Sequence, residues 1–512
     1  MQFFRADGMK EATGYGEPKD WYFVAIKELL DNNIDWLRDN YRGSEHARVD
    51  GSFTINKDYS KLNCIIRNSN PDNIPVKAFT LLEHILNYNM TFGSKQNEYR
   101  ATRGQLGDGL KRLVGLPFIL MNLGDDKSAA FFDKQWETPM YFRANGIERQ
   151  VTVKVNLGAS QTFNNIVVSP NKLKHTDTEV EITFPIIEEV RSYVTALAIE
   201  RHCRLNTIAT TDISFNIKVI DEYAHAQGLK GTAEIVHEAK HPIPKNLHNS
   251  TSILIYHPVE FVNRIESVFD RENTSVYEVI RKFEEGAQAP KSTFDELLKV
   301  EDTNKLSIAE FMKRTDYQDK TLELYNLLLN TSNRFPDKIS LPFPVKDRHK
   351  HLAERIYAMY PDPDYLEQNP DNIYYTIQYG TTNEIPIFSF AFELLAIPLN
   401  IESIRKHPDI LRSEFHGLVN SSHAALGTKF DGSYHWSGKN GKYFAADDIE
   451  GCFSQSGFVF SSYYRNSKQK IPCIFMGNLI SQRVDYTEKS KAKMDASPFI
   501  PTITKAVRKL AT

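Results

Sequence analysis

The chain has 512 residues, with 62 Lys and Arg against 65 Asp and Glu and a formal net charge of −3. Its 41% hydrophobic and 25% charged residues are ordinary globular proportions. They exclude a disordered, collagen-like or coiled-coil chain, and the length predicts about three domains. The balanced charge excludes a uniformly basic nucleic-acid coat, though not a local basic patch. No stretch approaches the ~18 uncharged apolar residues of a membrane span. The longest, Leu113 to Met121, is short and holds Gly115 and Pro117. The N-terminus lacks the basic-then-apolar layout of a signal peptide. Cys64, Cys203, Cys452 and Cys473 lie far apart with no CxxC pair, which reads as reduced thiols in a cytoplasmic protein.

Residues 1–20 are Gly-rich and polar and are expected to form an arm. From Trp21 to Asn40 the apolar positions Phe23, Ile26, Leu30, Ile34 and Leu37 recur at helical spacing. Phe53 to Ile55 and Leu62 to Ile66 read as short strands, and Pro75 to Met90 as a helix. Arg103 to Gly109 is a Gly-rich loop running into an apolar helix start. Val151 to Leu157, Asn165 to Val168 and Val180 to Phe184 read as strands, Ile186 to His202 as a helix, and Ser214 to Ile220 as a strand. The layout is α+β, with helices on one face of a sheet. Ser267 to Ser332 is charge-rich and helical. Strands return at Tyr374 to Tyr379, Pro386 to Pro398, Phe458 to Tyr463 and Ile471 to Ile480, and a basic helix ends the chain. The natural cuts fall near residues 257 and 340.

Three segments carry chemistry. The first runs from Glu28 to Asp35. On a helix, Glu28, Asn32 and Asp35 share one face while Leu30, Ile34 and Leu37 turn to the core. A carboxylate and an amide one turn apart can hold Mg²⁺ through the amide oxygen and orient a water with the carboxylate. The second, Arg67 to Pro75, follows a strand and makes a sharp polar turn. Asn70, Asp72 and Asn73 tolerate positive φ, and Asn68 can offer a side-chain oxygen to an exocyclic amine. The third, Thr102 to Lys111, places three glycines before a helix start, which suits close approach of a phosphate to backbone N–H groups. Taken singly, these segments also fit a solvated helix face, a surface turn and a plain loop.

In this order and spacing they resemble the GHKL ATPase superfamily. Glu28 and Asn32 match its Glu-x-x-x-Asn box, and Gly104, Gly107 and Gly109 match its lid. Within the superfamily the chain is similar to the ATPase chain of topoisomerase VI, the B-type component of that enzyme, and to its bacterial stand-alone relatives. Thr102-Arg-Gly-Gln-Leu-Gly-Asp-Gly109 resembles that family's lid. His175 to Phe184 with Val190 to Val194 resembles its closing strand and helix. Ile385 to Glu393 and Val484 to Lys491 resemble parts of its transducer domain.

The resemblance implies a Bergerat-type ATPase α/β sandwich at 21–257 behind the arm 1–20. A helical linker follows at 258–340, where the family often carries a helix-two-turn-helix insert. Residues 341–512 are then a transducer of ribosomal-S5-like type. It implies Glu28 as general base, Asn32 as the Mg²⁺ ligand and Asp35 as an organiser of water. ATP would meet Asn68, Gly104, Gln105, Leu106, Gly107, Asp108, Gly109, Lys111 and Thr178. Arg483, with Lys429 as rival, stands where the family has a γ-phosphate lysine.

Two departures stand out. Asn68 replaces the adenine-reading Asp, and Asn70 and Asp72 replace the glycines of that box, with Asn73 inserted. The implied function is an Mg-dependent ATPase that dimerises with ATP. It would drive DNA manipulation by a topoisomerase VI A-like or other DNA-processing protein, away from any membrane. The alternatives are an ATP-dependent scaffold or clamp of a DNA-processing or anti-phage defence complex, and a chaperone-like clamp on protein.

Two decoys remain. His237-Glu-Ala-Lys-His241 matches HExxH, yet that zinc motif needs an uninterrupted helix, and Pro242 follows at once. Gly432 to Lys439 has one residue too many for a P-loop. Lys489, Lys491, Lys493, Lys505, Arg508 and Lys509 give the C-terminus a basic bias that fits a solvated face or a DNA-facing one.

Overall fold

The structure is a computed structural model. It describes residues 5–13, 16–41, 47–69, 109–123, 140–144, 146–156, 161–170, 178–244, 251–268, 270–332, 338–360, 362, 364–400, 413–423, 452–453, 456, 458, 472–485 and 496–511. The expected helix at 75–90, the strand at 458–463 apart from Phe458, the turn residues Asn70, Asp72 and Asn73, the loop at 432–439 and Lys429 lie outside the described residues. Among the described residues no helix is long and apolar enough to cross a membrane.

The N-terminal half is built on an eight-stranded mixed sheet. Its strands are β1 (Arg48–Ile55), β2 (Lys61–Asn68), β3 (Met140–Ala144), β4 (Ile147–Asn156), β5 (Gln161–Pro170), β6 (Thr178–Pro185), β7 (Ser214–Asp221) and β8 (Thr232–His237). They lie in the order β5-β4-β3-β6-β2-β1-β7-β8. β1 and β7 are parallel and the other neighbours antiparallel. β1 and β2 bury every second residue, the period of a sheet with one face on a core. Helices α2 (Pro18–Asn40), α3 (Gly109–Met121) and α4 (Ala196–Thr207) supply that core. Trp21, Ile26, Ile34 and Leu37 meet Val114 and Phe118, Ile199 and Cys203, and Phe53, Ile66, Ile182 and Ile217.

Three expectations change. The helix expected from Ile186 to His202 is a short 3₁₀ turn at Glu188–Val190 followed by α4. The break falls where Thr195 Oγ1 accepts the Ala198 N–H at 3.2 Å as an N-cap. Strands β3 and β11 (Glu414–Val419) were not expected, being only five and six residues long. Within the first 20 residues, α1 (Ala6–Thr13) forms, and its Met9 joins the core.

The C-terminal half carries a five-stranded mixed sheet. β9 (Tyr374–Thr381), β10 (Ser389–Pro398), β11, β12 (Ser422–His423) and β13 (Cys473–Ser481) lie in the order β12-β11-β13-β10-β9. β10 and β13 are buried along almost their whole length, because both faces are covered. On one face Phe390, Phe392, Leu394 and Phe475 pack with Phe261, Phe283, Phe311 and Leu328 of the helical stretch and with Ile503 and Val507 of α6 (Ile500–Ala511). The helical residues 253–328 therefore share a core with this sheet. On the other face Leu395, Ile397, Ile474 and Met476 pack with Leu352 and Ile356 of α5 (Arg348–Tyr357) and with Ile208 and Ala209 just after α4.

That second contact also holds a buried polar junction. Arg348 and Glu393 pair at 2.9 Å with side chains 1% and 0% exposed. Arg348 also donates to Ala209 O and Thr211 Oγ1. Glu393 receives Tyr375 Oη–H and Asn478 Nδ2–H, each at 2.9 Å. Arg355 donates to the carbonyls of Thr207, Ile208 and Thr210. Removing one partner of such a pair leaves a buried charge uncompensated. Glu393→Ala is therefore expected to cost about 3–5 kcal/mol, read as a fall in the denaturation midpoint.

Two buried histidines set an acid limit. His202 on α4 packs at a tilt against Phe23 of α2, with ring centroids 5.3 Å apart. Burial, helped by the Lys27 charge, pulls its pKa from 6.5 down to about 4. Burial and the charges of Arg355 and Arg204 take His237 down to about 3. Both are neutral when folded and protonate at higher pH when unfolded, so the unfolded state binds more protons below pH 6.5. Their contribution is complete above pH 6.5 and is lost as pH falls toward about 4 for His202 and about 3 for His237. For His202 it is on the order of 3 kcal/mol. Thermal unfolding followed from pH 7 to pH 4 is expected to show this decline, and His202→Gln to flatten it.

Candidate functional site

The expected chemistry converges on α2 and its seam with the sheet. Lys27, Glu28, Asp31, Asn32, Asp35 and Arg38 form one continuous polar arc of this helix. Most of it is buried and internally neutralised. Lys27 Nζ sits 2.6 Å from Asp31 Oδ2. Arg38 makes a two-pronged pair with Asp212, both contacts 2.8 Å. Burial alone would lower the Arg38 pKa, and Asp212 with Asp35 and Asp31 reverses the sign. Burial alone would raise that of Asp212, and Arg38 reverses it. Asp35 is 2% exposed. Asn32 is exposed, whereas the Glu28 side chain is 13% exposed, with Oε1 4.0 Å from Lys27 Nζ.

Glu28 meets the start of α3. A Cβ built on Gly109 would lie 2.0 Å from Glu28 Oε2, so only glycine allows this approach. The carboxylate thus rests against the positive end of a helix. Two residues on, Lys111 is fully buried. Gly104, Gln105, Leu106, Gly107 and Asp108 lie outside the described residues.

At the end of β2, Asn68 is 1% exposed. It faces Thr178, the first residue of β6, across the antiparallel register, which puts both side chains on one face. Asn68 Nδ2 donates to Asn33 Oδ1 at 2.9 Å. Asn68 Oδ1 and Thr178 Oγ1 are each buried without a hydrogen-bond partner among the described residues. Two unsatisfied polar atoms at one register position are a feature that a fold keeps at a cost.

The structure thus brings Glu28, Gly109, Asn68 and Thr178 to the elements joined at α2. Arg483 is engaged elsewhere. Its guanidinium pairs with Glu260 at 2.7 and 3.0 Å, donates to Ile255 O at 2.8 Å and meets Asp485 at 3.0 Å. His237 ends β8, and His241 lies in a turn 2.9 Å from Thr211 Oγ1, so the HExxH residues do not share a helical turn. The sequence reading missed Asn33, although its signal was present: an amide falling in the apolar arc of Ile26, Leu30 and Leu37 needs a buried partner.

No protein-family profile and no curated protein matches the chain. Among solved structures it is similar to the N-terminal domain of a DNA repair protein, at 8% identity and a TM-score of 0.38, over 95% of this chain and 92% of that one. It is similar to the ATPase region of Saccharomyces cerevisiae topoisomerase II at 10% identity and a TM-score of 0.35, over 96% and 84%. It is also similar to the gyrase B-subunit of Myxococcus xanthus at 8% identity and a TM-score of 0.36, over 98% and 90%. At these scores the likenesses carry no assignment of activity.

Replacing the Thr178 hydroxyl tests whether the fold keeps it at a cost. Thr178→Val removes a buried, unsatisfied donor at nearly constant volume. It is expected to stabilise the unliganded protein by on the order of 1 kcal/mol, measured as a raised melting temperature.

Proposed function

We propose that this chain is an ATP-binding and ATP-hydrolysing protein of GHKL type. The observation that supports it best is the pairing of two features on α2's seam: a carboxylate seated at a glycine-opened helix start, and a buried acceptor left vacant at the end of β2. The first suits water activation beside a phosphate, and the second suits a base amine.

In this reading Asn68 Oδ1 and Thr178 Oγ1 take the adenine edge. The segment Gly104 to Gly109, with Gln105, Leu106 and Asp108, cradles the phosphates on backbone N–H groups. Lys111 stands in the first turn behind them. Glu28 holds the attacking water and takes its proton, and Asp35 orders the surrounding water network. Asn32 offers an exposed carboxamide oxygen one turn from Glu28, the hard oxygen donor that Mg²⁺ accepts, and the ion would neutralise phosphate charge. A γ-phosphate contact by Arg483 would require its guanidinium to exchange Glu260 for phosphate.

The wider role we infer is that of a protein resembling the ATPase chain of topoisomerase VI. ATP would close two copies on each other and drive a separate DNA-processing protein. The replacement of the family's Asp by Asn68 keeps in view a clamp or scaffold in which ATP is held rather than turned over.

Glu28→Gln is the direct test. ATP binding is expected to persist while phosphate release falls at least about a hundredfold, followed by equilibrium binding and by a steady-state phosphate assay. Undiminished hydrolysis in the variant removes Glu28 from the role of base.

A further inference from the structure

Three side chains on the seam form a line whose hydrogen-bond polarity is fixed from one end. The Leu29 carbonyl accepts from Asn33 Nδ2 at 2.8 Å. A carbonyl can only accept, so Asn33 must turn its NH₂ toward Leu29 and its oxygen toward the sheet. Asn33 Oδ1 accepts from Asn68 Nδ2 at 2.9 Å. Asn68 must in turn point its NH₂ at Asn33, and its own oxygen is left facing away. That oxygen is the buried, unpartnered Oδ1 beside the unpartnered hydroxyl of Thr178. Turning Asn68 alone would set two carbonyl oxygens against each other. Turning Asn33 as well would set its oxygen against Leu29 O.

We propose that Asn33 is a positioning residue that sets the base specificity of this site. A carboxylate at position 68 would accept through either oxygen and need no help. An amide has a donor end and an acceptor end, and Asn33 decides which one meets the ligand. With the acceptor outward, the site takes a purine whose six-position carries an amine, as in adenine. It rejects one that carries a carbonyl there, as in guanine. The discrimination rests on the nucleotide-binding reading above and names the chemistry that reading requires of a neutral residue 68.

The experiment uses the full chain with Mg²⁺ and a fluorescent ATP analogue displaced by ATP or by GTP. Wild type is expected to prefer ATP by about tenfold or more, because guanine's carbonyl would face a buried acceptor. Asn33→Leu keeps the branched shape but removes the acceptor that holds Asn68, leaving it able to turn, and the ATP-to-GTP preference is expected to fall at least about fivefold, mainly through tighter GTP binding. Asn33→Asp, whose second oxygen must carry a proton to replace the donation to Leu29 O, still presents an oxygen to Asn68 and is expected to keep the preference. Loss of affinity for both nucleotides alike in Asn33→Leu, with the ratio unchanged, would overturn the inference. So would a wild type that binds ATP and GTP equally, which leaves the nucleotide-binding reading standing. A wild type that binds neither nucleotide overturns both.

Discussion

A helix buried on nearly every side has to satisfy its polar groups from within, and α2 is such a helix. Of its residues, Lys27, Asp31, Asn33, Asp35 and Arg38 are all buried beside the apolar stripe. Each buried charge or amide costs free energy unless it is paired. Lys27 takes Asp31 on the same helix, Arg38 reaches Asp212, and Asn33 reaches Asn68. The last two pairings dock α2 against the chain that follows α4 and against β2. What remains after they are made is Asn32, which is exposed, and Glu28, which turns to the start of α3, the two groups to which the proposed chemistry is given.

The same rule organises the contact between the two halves. Thr207 to Asp212 is gripped by Arg38 of α2 on one side and by Arg348 and Arg355 of α5 on the other. Among the described residues Arg355 grips carbonyls and no carboxylate, and burial with the neighbouring Arg348 charge takes its pKa down to about 9. Arg348 continues to Glu393, and Glu393 to Asn478, whose oxygen receives the Ser421 N–H. A purely apolar contact would tolerate sliding. Directional bonds to particular carbonyls fix one placement, the role that buried polar groups serve best.

Periodicity carried much of the fold. The stripe Ile26, Leu30, Ile34 and Leu37 belongs to α2, and the strand patterns at 53–55, 62–66, 180–184 and 214–220 all fall within observed strands. Where a cap or a short strand decided the matter, the pattern was too weak. A single threonine hydroxyl moved the start of α4 to Ala196. β3 and β11, at five and six residues, are too short for a pattern to mark, and each gains a partner distant in sequence, β6 for β3 and β13 for β11. The helical stretch read as a linker shares its core with the second sheet, because its phenylalanines find partners on β10 and β13.

For the candidate site the division is similar. The sequence by itself determined which residue types stand on one face of α2, that glycines precede α3, and that an amide replaces a carboxylate at position 68, since these follow from spacing and identity alone. Only the tertiary structure decided that Gly109 touches Glu28, that Thr178 faces Asn68, and that Asn33 fixes the direction of the Asn68 amide. The reason is physical: helix and strand periods act over a few residues. The pairing of one buried amide with another 35 positions away is set by packing α2 onto the sheet, which no local pattern encodes.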